Sequence, residues 1–417
     1  MLPSSGAAKS WWLTACVPND VPEAGDARVA PPLAAGTQSR YRWLVLAAGT
    51  VAQTSFSAVL VGLPVLAPAL RDEFDLSLLQ VGIVLDGLWV GALLTLLPWG
   101  LLADRVGERI VIGTGLAGCG LALVASGYAG TFEGLVLLLG LAGAAGASVN
   151  SASGRAVMQW FPADERGLAL GVRQTAIPLG GLISAVVLPM FGLRAAFFFL
   201  AGLCFAGAIF GSVVIREREA AADLLEAHGL GETLRDRRLL VLCLASSLYL
   251  VAQIAITGFV VLFLHDQRGF SPGEAAAVLA GVNVFAAALR IGGGRWSDVI
   301  GSRILPLRLV GVASGVSLAV TVALLEAPAA IVVFAFVIAG GFAMAWNGLS
   351  FTAAAELAGM RRSGAALGMQ QSALSAAGAI VPPAFAAIVA VSSWRLGFGL
   401  AALFPLLGVL LLRPLRS

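Results

Sequence analysis

The sequence predicts an all-α membrane protein of twelve transmembrane helices, arranged as two parallel-repeat halves of six. Three observations lead there. Only 12% of the 417 residues are charged while 59% are hydrophobic, and the mean hydropathy is +0.93. A soluble surface of ordinary composition has about a quarter of its residues charged, so most of this chain's solvent is lipid. The apolar residues gather into twelve runs, each long enough at about 1.5 Å per residue to cross a hydrocarbon core of about 30 Å. Finally, the second half of the chain repeats the first.

Taken in order, residues 1–40 are rich in Ala, Pro, Gly and Ser, interrupted briefly by the apolar stretch from Trp11 to Leu13. No succession of basic, apolar and small residues marks a signal peptide, so a mobile cytoplasmic tail is expected. The expected spans are 43–66, 80–101, 109–127, 134–157, 168–191, 194–215, 239–264, 273–295, 308–325, 329–354, 365–391 and 394–412. They must be helices, because a lone strand leaves backbone groups unpaired in lipid. The N-terminal half is thus 41–215 and the C-terminal half 239–417. Between them, 216–238 carries charges of both signs and reads as a solvated cytoplasmic linker rather than a nucleic-acid patch.

Orientation follows from the basic residues. With the N-terminus inside, 22 of the 26 fall in inner segments, and only Arg71, Arg194, Arg268 and Arg395 in outer turns. Both termini are therefore expected on the cytoplasmic side of the cell membrane.

The repeat is clearest at a polar turn. Gly100 to Arg109, GLLADRVGER, joins spans two and three, and GRWSDVIGSR, from Gly294 to Arg303, joins spans eight and nine 194 residues later. Gly100, Asp104, Gly107 and Arg109 recur as Gly294, Asp298, Gly301 and Arg303, and the first copy adds Arg105. Asn150–Gly171 aligns without a gap with Asn347–Gly368 at an offset of 197, setting GLALGVRQTA beside GAALGMQQSA. Val51-Ala52-Gln53 returns as Val251-Ala252-Gln253 at an offset of 200. Nearly constant offsets across a whole half mean one six-helix unit used twice.

The two polar turns resemble the G-x-L-a-D-r-x-G-r-r signature of the major facilitator superfamily, which lies between its helices two and three and, in weaker form, eight and nine. The resemblance spans roughly residues 43 to 412. It implies a secondary transporter of a small solute working by alternating access, with the substrate site between the halves near the membrane midplane. It also implies that the loops around Asp104 and Asp298 hold the cytoplasmic side shut. The helix-five antiporter signature of that family, G-P-x-x-G-G, is only partly echoed by Ile177-Pro178-Leu179-Gly180-Gly181, so the resemblance does not imply antiport.

Polar residues inside the spans are the candidates for function. The repeat pairs Gln53 with Gln253, Asn150 with Asn347, and Gln174 with Gln371. A buried amide needs a partner in lipid, either a bound solute or a neighbouring helix. Three ionisable residues, Asp86, Arg173 and Arg290, also lie within spans, where charge is costly enough to suggest function. Arg290, near the end of span eight, has a stem able to snorkel to the cytoplasmic interface. Asp86, the one carboxylate well inside a span, is either a proton carrier or a hydrogen-bond partner of a neighbouring helix. Arg173 corresponds to neutral Gln370 and thus adds an unmatched positive charge. It is either the charge partner of an anionic solute or part of the gate, bonded to Asp164, Glu165 or helix-end carbonyls. Pro178, Pro189, Pro382 and Pro383 are expected to interrupt spans five and eleven.

Other classes are disfavoured. Four scattered cysteines and two histidines in polar connections suggest no metal site or catalytic triad, and no cofactor is expected. Without a phosphate-binding G-x-x-x-x-G-K-[ST] loop, energy would come from a gradient, with protons as the expected coupling partner. A transporter-like receptor or sensor and an efflux carrier for drug-like molecules remain as alternatives. The protein is expected to act as a monomer.

Overall fold

The computed structural model describes residues 35–161, 165–216, 230–359 and 362–415. The expected tail up to residue 34 and most of the expected linker, 217–229, lie outside the described residues. Twelve helices long and apolar enough to cross a membrane run through the described chain: Arg40–Phe74, Leu78–Ala103, Glu108–Ser126, Phe132–Gly154, Gly171–Met190, Leu193–Val214, Arg237–Arg268, Pro272–Ile300, Ile304–Ala323, Ala329–Ala358, Ala365–Val391 and Trp394–Leu411. We number them helix 1 to helix 12. An even number of crossings puts both ends of the bundle on one side, the terminal face; the other is the distal face.

Several boundaries differ from expectation, each for a local reason. Helix 1 does not stop at residue 66. It passes through a 3-10 turn, Leu63–Leu66, and resumes as Ala67–Phe74. Pro64 and Pro68 stand at the second position of these two segments, in the first turn, whose N–H groups have no partner within the segment. Helix 2 then starts on a capping box of Ser77 and Gln80. Helix 8 starts on the same device, Ser271 with Glu274, 194 residues later. Pro382 and Pro383 do not interrupt helix 11, which is continuous over Ser363–Val391. Their missing N–H groups leave the carbonyls of Gly378 and Ala379 without intrahelical donors. Helix 5 does break, between Arg166–Gln174 and Ala176–Val187, and ends in a 3-10 turn at Leu188–Met190 that contains Pro189.

The polar turns prove almost entirely helical. Helix 2 stays helical to Val106, and Gly107 alone, at φ 86°, separates it from Glu108 at the start of helix 3. Gly100, Asp104 and Arg105 therefore ride on the last turns of helix 2 rather than in a loop. Gly294 and Asp298 ride likewise on helix 8, which closes on Gly301 at φ 66°. The two motif glycines thus occupy left-handed backbone that a side chain would strain. Arg105 and Arg109 are exposed, and the Asp104 side chain lies outside the described residues. Asp298 pairs with Arg303, which also donates from Nε to Glu356 Oε1 of helix 10 at 3.0 Å. Burial of that guanidinium opposes its charge, but its bonds and attraction to Asp298 and Glu356 prevail and hold its pKa above the ordinary arginine value. The second motif copy therefore ties the ends of helices 8, 9 and 10 within one half.

Close packing depends on small residues, as it must where lipid is as apolar as the helix surfaces. A methyl group added to Gly143 of helix 4 would meet the Leu88 carbonyl oxygen of helix 2 at 2.1 Å. The halves meet through helix 2 against helix 11 and helix 5 against helix 8. A methyl on Gly82 would stand 2.7 Å from Ala386 Cβ and 3.0 Å from Pro382 O. One on Gly181 would stand 2.5 Å from Asn283 Oδ1. At the distal face Arg71, from the end of helix 1, pairs with Asp266, from the end of helix 7. The halves are therefore closed together on the distal side.

Candidate functional site

A cavity lies between the halves, lined from helices 1, 2, 4, 5, 7, 10 and 11. All six repeat-paired amides line it: Gln53, Asn150, Gln174, Gln253, Asn347 and Gln371. So does Arg173, with Phe56, Trp89 and Phe351 forming an apolar wall.

In the first half, Arg173 donates from Nε to Ser153 Oγ at 2.9 Å and from Nη2 to Gln53 Oε1 at 3.0 Å. Gln53 Nε2 donates in turn to Asn150 Oδ1 at 2.9 Å. The amide orientations follow from the arginine: a guanidinium only donates, so Gln53 must turn its oxygen toward it and its NH2 toward Asn150. The second half repeats the amide pair with the roles exchanged, Asn347 Nδ2 donating to Gln253 Oε1 at 3.0 Å. The Asn150 and Gln253 amide nitrogens then have no protein acceptor among the described residues and border the cavity. Gln370, counterpart of Arg173, is fully buried away from the cavity and donates to Ser350, the counterpart of Ser153. The repeat thus conserves a serine under each position and varies what stands on it.

Arg173 is buried with neutral partners, and no carboxylate among the described residues pairs with it. Glu165, expected as one alternative partner, instead meets Arg42 Nη2 at 2.9 Å; Asp164 lies outside the described residues. Arg290 does not snorkel. Its guanidinium turns inward, donating from Nε to Met344 O of helix 10 and from Nη1 to Gln174 O of helix 5, both at 2.8 Å. At 8% exposure it is as buried as Arg173, because its stem faces the packed interior rather than lipid headgroups. Asp86 is not among the cavity-lining residues, and its Oδ1 is buried without a hydrogen-bond partner. It shares a helix face with Gly82, one turn away, which packs on Pro382 and Pro383.

Some residues were not picked out from the sequence. Ser153 lies inside the gapless repeat and matches Ser350, a signal present in the sequence. Trp89 had no signal beyond its position in an apolar run. Glu108, 3% exposed, accepts from Gln159 Nε2 at 2.9 Å.

Comparison with known proteins bears on this geometry. The description Major Facilitator Superfamily matches residues 242–417. An uncharacterized MFS-type transporter of Mycobacterium tuberculosis is 31% identical over 381 residues, covering 90% of this chain and 85% of its own. The chain belongs to the major facilitator superfamily. Shorter matches include a multidrug resistance protein MdtG of Rahnella sp., 29% identical over 55% of this chain and 58% of its own. A hexuronate transporter of Bacillus subtilis is 27% identical over 31% of this chain and 30% of its own. The fold matches the crystal structure of a bacterial homologue of the human lysosomal transporter Spinster, in an inward-facing and occupied conformation, with a TM-score of 0.76 at 16% identity over 90% of this chain and 96% of that one. As a superfamily member this is a multi-pass membrane transporter, and the cavity between its halves lies where such proteins take up small solutes.

Proposed function

We propose that this transporter carries an organic anion across the cell membrane, with Arg173 as the charge partner of the solute. One observation carries the reading: among the described residues, a buried guanidinium borders the cavity with only Ser153 and Gln53, both neutral, as partners. Unpartnered amide donors of Asn150 and Gln253 add to it, since a ring of donors suits a carboxylate or oxyanion. Phe56, Trp89 and Phe351 suit the apolar body of such a solute. The remaining amides, Gln174, Asn347 and Gln371, complete the polar lining.

The test is uptake into proteoliposomes by Arg173→Gln. The variant should fold, because Gln370 already holds this place on Ser350 in the second half. Anion uptake is expected to fall by at least about a hundredfold, the scale of losing a charge-assisted, desolvated bond of about 3 kcal/mol. Undiminished anion affinity would remove Arg173 from the site and sink the reading.

Asp86 is proposed as the proton carrier, supported by its buried, unpartnered oxygen at the interface of helices 2 and 11. The excess of basic residues on the terminal face supports cytoplasmic termini. The motif carboxylates Asp104 and Asp298 are proposed to steady that face when it closes, and the Asp298–Arg303–Glu356 group supports this for the second half. The rival reading is a drug-efflux carrier, favoured by the aromatic wall and the likeness to MdtG. Neutral lipophilic compounds competing as well as anions in the same assay would favour that rival.

A further inference from the structure

Two side-chain hydrogen bonds between described residues cross from one half to the other. One, between Arg71 and Asp266, closes the distal face. The other joins Arg290 to Gln174 O at the depth of the cavity, and it has an unusual acceptor. In an unbroken helix the carbonyl of residue 174 would accept from the N–H of residue 178. That residue is Pro178, which has no N–H and so orphans the carbonyl. Helix 5 accordingly ends at Gln174 and restarts at Ala176, and the orphan is satisfied by a guanidinium from the opposite half.

The donor is equally particular. Arg290 bridges two carbonyls on two helices, Gln174 O of helix 5 and Met344 O of helix 10. The fixed fork of a guanidinium makes this possible where a lysine point charge would not. No acid among the described residues offsets its charge, and its Nη2 is buried without any partner. A cation held this way within a membrane is costly, and capping one carbonyl would not need it. Met344 O also accepts from Asn347 Nδ2 at 3.2 Å, and Asn347 donates to Gln253. A continuous polar chain therefore runs from the cavity amides of the second half, through Arg290, to the backbone of Gln174. The side chains of Gln174 and its neighbour Arg173 line the cavity from the first half.

We infer that Arg290 is a positioning residue: through the carbonyl freed by Pro178 it clasps the break in helix 5 to the second half, and so sets where Arg173 and Gln174 stand. The clasp exists with the distal face closed, and it ties cavity geometry to that closure. This does not depend on which solute is carried.

A double-mutant cycle tests it. Arg290→Gln removes the guanidinium and its charge, and the shorter amide cannot span both carbonyls. Pro178→Ala removes nothing from the clasp directly but returns an N–H to helix 5, which takes the Gln174 carbonyl and displaces the guanidinium. Each variant is combined with Leu60→Cys, a cavity-lining position toward the distal side, and labelled with a membrane-impermeant maleimide from that side. Each should raise the distal labelling rate by about tenfold, the effect of one charge-assisted hydrogen bond. The double variant should label no faster than either single, since both remove one contact. Additive effects, or unchanged labelling in both single variants, would overturn the inference; so would a lower melting temperature without a change in labelling. If Arg290→Gln does not fold, Arg290→Lys replaces it. With one donor head it reaches one carbonyl at a time, so its labelling should lie between the parent and Pro178→Ala, and parental labelling in both would overturn the clasp.

Discussion

At the scale of single residues, the two halves show how one scaffold takes different side chains. Ser153 and Ser350 are repeat partners, and each supports the residue twenty places on: Arg173 in the first half and Gln370 in the second. The neutral member is sealed inside its half, whereas the charged one borders the cavity. Asp86 presents the opposite case, a carboxyl oxygen buried with no donor aimed at it. The facing stretch of helix 11 carries no titratable group between Ser363 and Val391; helix 4 has only Glu133 at its distal tip, and helix 1 contributes Arg71, Asp72 and Glu73 at its distal end. A group with no nearby counter-ion at cavity depth is suited to exchanging a proton as its surroundings wet and dry. Asp86→Asn is therefore expected to keep solute binding and to lose the response of uptake to a pH gradient, measured in proteoliposomes with an imposed gradient. A normal pH response in that variant would exclude Asp86.

At the scale of helices, backbone contact decides what each position tolerates. Gly143 lies against the Leu88 carbonyl of helix 2, with the added methyl at 2.1 Å, so Gly143→Ala forces the helices apart. A loss of about 1–3 kcal/mol is expected, the usual cost of overpacking, read as a lower melting temperature in detergent. Gly202 of helix 6 has nothing within 4 Å of the same methyl. Gly202→Ala should stabilise by about 0.4–1 kcal/mol, because the alanine loses less freedom on folding. Equal effects at the two sites would show that close approach of helices 2 and 4 is not what Gly143 supplies. Prolines divide in the same way. Pro64 and Pro68 stand where helical segments begin, Pro382 and Pro383 sit within a continuous helix, and Pro178 coincides with a break whose free carbonyl the other half uses.

At the scale of the whole molecule, the halves are joined at the distal face and at cavity depth. The ion pair of Arg71 and Asp266 connects the ends of helices 1 and 7. It is partly solvated, with side-chain exposures of 38% and 19%, so it is worth about 1 kcal/mol at most and is weakened by salt. Arg71→Ala is expected to raise distal labelling several-fold at low ionic strength and to lose most of that difference at about 1 M salt, where the Debye length is only about 3 Å. A difference that persisted at high salt would mean that packing, not charge, closes this face.

Much of this protein was determined by its sequence alone, because lipid leaves few choices. A chain so apolar must satisfy its backbone internally, so twelve runs become twelve helices. Nearly constant offsets between Gly100 and Gly294, Asn150 and Asn347, and Gln53 and Gln253 reveal two copies of one unit without any coordinates. The same offsets led to six amides that all line one cavity. Other features were decided only by tertiary structure. Sequence spacing left Arg173 between gate and cavity and let Arg290 snorkel; rotation of helices 5 and 8 about their axes turned both guanidiniums inward. Asp86 falls outside the cavity lining for the same reason, a matter of about one residue in helical phase that hydropathy does not register. That Pro178 would free a carbonyl was legible in the chain. Which group would claim it depended on bringing helix 8 of the other half within 2.8 Å, a contact between residues 116 positions apart.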